Sequence, residues 1–107
     1  MAQDTTYNGW TNYETWAVKL WLDDDEGTYR LMREITHDAM AEPNEYDWEK
    51  DDDHALRVIS DRVKDYIEDQ NPLNDSASVY TDLLNGAISE VNWWEIAQAM
   101  IDDERNG

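Results

Sequence analysis

From Tyr13 onward, apolar side chains recur at helical spacing: Tyr13, Trp16, Ala17, Leu20 and Trp21 share one broad face, with Val18 and Leu22 on the opposite side. A helix apolar on both sides is expected at the centre of a domain. Thr11 and Glu14 have the form of a capping box, so this helix is expected to begin there. The run Asp23-Asp24-Asp25-Glu26-Gly27 breaks the pattern and supplies carboxylates to cap a second helix over about residues 26–41, with Thr28, Met32, Ile35 and Ala39 inward. Pro43-Asn44 ends it, and 42–50 reads as a polar connection in which Tyr46 and Trp48 are anchors folded onto the domain.

A third helix over about 52–69 opens on Asp51-Asp52-Asp53 and carries Leu56, Ile59, Val63, Tyr66 and Ile67 on one stripe. It is the clearest amphipathic segment in the chain. After a turn-rich connection over 70–75, Val79, Tyr80, Leu83 and Leu84 predict a short fourth helix ending near Asn85-Gly86. Asn92 and Glu95 then open a fifth over about 93–104, with Trp93, Ile96, Ala97, Met100 and Ile101 on one face. No window alternates as a strand does, so the pattern predicts an all-α single domain, 1–107, of four to five helices behind an N-terminal arm, 1–9. Its expected core is Trp16, Leu20, Met32, Ile35, Leu56, Ile59, Val63, Ile67, Leu83 and Ile96.

Composition adds a constraint that the pattern does not contain. Asp and Glu number 26 against 8 Lys and Arg, a formal charge of −18. Such a field repels nucleic acid and anionic lipid, attracts cationic surfaces and costs stability through self-repulsion. Direct nucleic-acid binding is therefore disfavoured and a basic protein partner favoured. An apolar share of 40% with six Trp and six Tyr argues against disorder. The absence of Cys removes disulfide and thiolate chemistry and suits the cytoplasm. There is no membrane-length apolar run and no signal-peptide pattern at the N-terminus, which gives the expectation of a soluble cytoplasmic protein.

The stretch NGWTNYETW, residues 8–16, continuing into AVKLWLDDDEGTYR, resembles the signature of a family of short acidic proteins encoded by phages, plasmids and some haloarchaea, generally without an assigned function. The resemblance covers residues 8–30 and transfers no catalytic residue. It implies a mobile-element setting, in which small proteins often act against host defence. In composition alone, the acidity resembles that of DNA-mimic inhibitors of restriction enzymes. The aromatics of the stretch are expected to seed the core from a helix N-terminus. Trp10, which precedes the helix, is a candidate contact residue.

Several constellations invite a chemical reading and fail on spacing. Asp23, Asp25 and Glu34 fall on the first, third and twelfth positions of an EF-hand register, but Gly27 is misplaced and the last positions lie in a helix. Glu34 with His37 and Asp51 with His54 have the acid-x-x-His spacing of helical di-iron sites. The first pair lies off the apolar face and the second straddles a helix start, so both are expected at the surface. No cofactor or metal is expected. With no thiol, nucleophile elbow or glycine-rich phosphate loop, the chain reads as a non-enzyme.

The third helix carries the most information about function. Asp61, Asp65, Glu68 and Asp69 lie opposite its apolar stripe, about one 5.4 Å turn apart along the axis. Duplex DNA carries a charge per ~1.7 Å of axis, so a domain ~30 Å long matches a segment bearing ~18 phosphates. Arg57, Arg62 and Lys64 flank the stripe and dilute it. The favoured reading is an acidic binding or inhibitor protein that occludes the basic groove of a nucleic-acid-binding defence enzyme. Asp61, Asp65, Glu68, Asp69, Asp51, Asp52, Asp53 and Trp10 are its candidate contacts. The alternative is a salt-adapted structural or interaction protein whose acids recognise nothing; a weaker one is a metal-binding protein.

Overall fold

Asn12, rather than Thr11, closes the N-terminus of the first helix in the computed structural model, which describes residues 6–42, 51–73 and 77–106. The Asn12 side chain accepts from the Thr15 backbone N–H at 2.9 Å, the bond that an N-cap makes to an otherwise orphaned donor. The expected Thr11–Glu14 box is thus displaced by one residue, because Thr11 is used across the fold instead. Just upstream, Asn8 (φ 49°) and Gly9 (φ 88°) take the positive φ values that a tight hairpin turn requires at both central positions. Tyr7 and Trp10 exchange backbone hydrogen bonds of 2.8 Å in each direction.

Five helices and no β-strand are present among the described residues: α1 (Tyr13–Asp24), α2 (Glu26–Ala41), α3 (Asp51–Asp69), α4 (Val79–Ser89) and α5 (Trp93–Asn106). The all-α prediction holds. α2, α3 and α5 pack on one another, and α1 lies against α2 and α5. α2, α3 and α5 contribute apolar stripes, and α1 contributes Leu22, to one core built on Leu22, Met32, Ala39, Leu56, Ile59, Val63, Ile96 and Ile101. Ile35 and Ile67 are half-buried and pack against it. Tyr46 and Trp48, with most of the 42–50 connection, lie outside the described residues.

The expected core is wrong at three positions, two of them in α1. This helix buries Thr15, Lys19 and Leu22, whereas Leu20 is exposed and Trp16 is only half-buried, off the core. Trp16 instead stacks with Tyr7 (centroids 4.8 Å apart) and Tyr13 (5.6 Å) in an aromatic cluster at the domain's edge. With apolar residues on both sides, the sequence left the rotation of α1 undetermined. Polar bonding then selected the face, since Thr15 and Lys19 both find partners on α5 or its N-cap.

The third error is Leu83, which is 66% exposed on α4. No helix packs along the length of α4. Ser78 caps it by accepting from the Thr81 backbone N–H at 3.2 Å, and it runs through Gly86 to Ser89 instead of stopping at Asn85-Gly86. Gly86 is therefore a helix-interior glycine, and a Cβ built there meets nothing within 4 Å. Gly86→Ala is expected to stabilise the protein by about 0.5–1 kcal/mol, read as a higher denaturation midpoint at unchanged m-value. A destabilised variant would show that α4 ends where the sequence pattern placed its end.

Candidate partner-binding surface

α3 sets the acidic face by its periodicity. Ile59 and Val63 point into the core, which turns Asp61, Asp65 and Asp69 outward at successive i, i+4 positions. These three carboxylates form no hydrogen bond or ion pair with any described residue. Glu68 differs: it is half-buried and lies 3.9 Å from Lys64 Nζ.

The cations beside this face are occupied within the chain. Arg62 donates to Glu42 Oε1 at 2.8 Å, across from the end of α2. The Arg62 guanidinium, and after it the His54 ring, hold the Glu42 carboxyl below its usual range. Arg57 Nη2 lies 3.3 Å from His54 Nδ1, and the other ring nitrogen is 3.3 Å from Glu42 Oε2. Elsewhere Arg30 pairs with Glu26 at 2.5 Å and Arg33 lies 3.7 Å from Glu104. Arg57, Arg62 and Lys64 thus each engage an internal partner, and Asp61, Asp65 and Asp69 have no ion-pair partner among the described residues.

The remaining candidate residues are distributed as follows. Asp51, Asp52 and Asp53 form the first turn of α3; Asp53 is exposed, and the side chains of the other two lie outside the described residues. Trp10 is half-buried and packs against the core. His54, expected at the surface, is buried, because one helical turn past the start of α3 its ring already faces α2 and reaches Glu42. Glu34 and His37 are both exposed.

The acids that fall on the calcium-loop register diverge. Asp25 caps α2, accepting from the Thr28 backbone N–H and hydroxyl, both at 2.8 Å. Those bonds, the backbone one first, hold its carboxyl below the ordinary aspartate range. Asp23 binds Lys19 at 2.6 Å. No convergent group of three or more His, Asp or Glu occurs among the described residues.

Lys19 itself is a residue that the hydrophobic pattern missed. Its side chain is buried beside α2 and α5, and its ammonium also reaches Asp103 at 3.4 Å. The adjoining pocket, shared with Tyr29, Arg33 and Thr36, holds only 30 Å³. Held by two carboxylates, the Lys19 ammonium reads as a charged strut between helices. No helix among the described residues is long and apolar enough to cross a membrane.

Residues 3–104 match the family model described as a family of unknown function, DUF7249, and the chain belongs to that family. Neither the curated proteins nor the solved structures include a significant match.

Proposed function

We propose that this member of a family of unknown function is a non-enzymatic acidic binding protein whose α3 face stands in for a run of backbone phosphates and occupies the basic groove of a nucleic-acid-binding enzyme. A restriction or CRISPR nuclease has the required chemistry. One observation carries the reading: Asp61, Asp65 and Asp69 lie exposed at i, i+4 spacing with no cation paired to them among the described residues, while neighbouring Arg62 and Lys64 are held by Glu42 and Glu68. The three carboxylates are about 6 Å apart along the helix axis. α3 as a whole, with 19 residues, is about 28 Å long. Long-range attraction would speed association with a basic groove and make it steeply dependent on salt.

The test is displacement of labelled duplex DNA from basic nucleases captured from host lysate at low salt. Asn at positions 61, 65 and 69 keeps side-chain shape and removes three charges. Displacement is expected to weaken and its salt dependence to flatten, while stability changes by no more than ~0.5 kcal/mol per site. Glu68→Gln serves as the internal comparison and should matter less, since Lys64 already engages it. Unchanged displacement by the folded triple variant would remove α3 as the mimic surface. A chain largely unfolded below molar salt would favour the salt-adapted reading instead.

A further inference from the structure

The apolar surface of this protein is not where its acidic row is. α1, the C-terminal end of α3 and α4 enclose an open groove of 380 Å³, whose floor includes Ala17, Val18, Ile67, Leu84 and Ile88. Among the described residues Glu14 is the single charged one lining it, and no Lys or Arg does so. The apolar surface continues past the groove along both walls. On α1, Trp21 follows Ala17 by one turn on the same face and is 72% exposed; on α4, Tyr80 precedes Leu84 by one turn and is 70% exposed. A small ligand would need the groove alone. The long aromatic borders match the i, i+3, i+4, i+7 side chains of a helix laid between two helices.

Charge decides the occupant. A second copy would bring −18 against −18, and an anionic bilayer is repelled in the same way. The edges are acidic: Glu14 lines the groove, Asp24 lies one turn beyond Trp21, Asp69 precedes Gln70 of the floor, and Glu90 follows α4. We propose that this groove docks an amphipathic helix of a partner protein, with an apolar face seated between Trp21 and Tyr80 and Lys or Arg flanks meeting the acidic edges. Such a helix would also brace α4, which no helix of this chain supports along its length. The site shares only Asp69 with the α3 row and none of its lining with Asp61 or Asp65, so either can fail without the other.

The experiment titrates the full-length protein with a panel of synthetic amphipathic helical peptides sharing a Leu-rich face and differing in flanks, Lys/Arg or Glu. Calorimetry gives affinity, and the indole N–H resonance of Trp21 reports the location. Lys/Arg-flanked peptides are expected to bind and to shift that resonance. Combined Trp21→Ala and Tyr80→Ala, at exposed positions, should weaken binding at least about tenfold with the helical circular dichroism unchanged. Asn at 61 and 65 should leave affinity within about twofold, because the attraction of remote exposed charges is largely screened beyond a Debye length. The proposal is overturned if no peptide binds, if Glu-flanked peptides bind equally well, or if the Trp21/Tyr80 variant keeps full affinity. It is equally overturned if the free protein forms a dimer that this variant abolishes, or if phosphatidylcholine vesicles shift Trp21 and the peptides do not.

Discussion

Ile59→Ala is expected to lower stability by about 2–5 kcal/mol, enough to remove a large part of the folding free energy of a domain this size. Ile59 is 0% exposed on the stripe of α3 that meets both α2 and α5, so truncation leaves a cavity that three helices would have to move to fill. The informative comparison is Trp21→Ala. Tryptophan is the larger side chain, yet at Trp21 it faces solvent, and the change should cost within ~0.5 kcal/mol. Urea denaturation of both variants beside the parent decides the matter. A loss at Trp21 comparable to that at Ile59 would mean that α1 is rotated to bury its aromatic face.

Thr15→Val should cost about 1–3 kcal/mol although it keeps the shape of a fully buried side chain. The Thr15 hydroxyl donates to Asn12 Oδ1 at 2.6 Å and accepts from the Asn92 backbone N–H at 2.9 Å. It joins two helix N-termini. Asn12 Nδ2 donates to the Glu90 carbonyl at 2.6 Å, and the Thr11 backbone N–H donates to Glu95 Oε1 at 3.0 Å. Asn92 caps α5 by accepting from the Glu95 backbone N–H at 3.0 Å. Valine removes the link at its centre and leaves the Asn92 N–H without its acceptor. Thr15→Ser retains the hydroxyl and loses one methyl, a change of about 0.8 kcal/mol at most. Equal losses for the two variants in thermal denaturation would assign Thr15 to packing and not to the network.

This network also accounts for much of the stretch NGWTNYETW. Asn8-Gly9 makes the turn, Trp10 packs on the core, and Thr11, Asn12 and Thr15 tie α1 to α5. The signature that stands out in the sequence is, on these contacts, a device for joining helices. The acidic row on α3 was legible in the sequence because the apolar stripe opposite it is unambiguous. Its lack of compensation was not, since Arg62 finds Glu42 only when α2 and α3 come together 20 residues apart in the chain. The apolar groove left no sequence signal of its own: Tyr13, Ala17 and Trp21 read equally well as core.

What the sequence determined by itself was the set of helices and, for α2, α3 and α5, the buried face. A single apolar stripe such as Leu56–Ile59–Val63 can satisfy the hydrophobic effect in one orientation only. Helix caps of the Asn92 type were equally local. The tertiary structure alone decided the rotation of α1 and the standing of α4. Both helices carry more apolar surface than one domain can cover, so their own burial does not discriminate between faces. For α1, the choice fell to directional bonds: Thr15 to Asn92 and Lys19 to Asp103 require those polar atoms inside, which turns Tyr13 and Trp21 out.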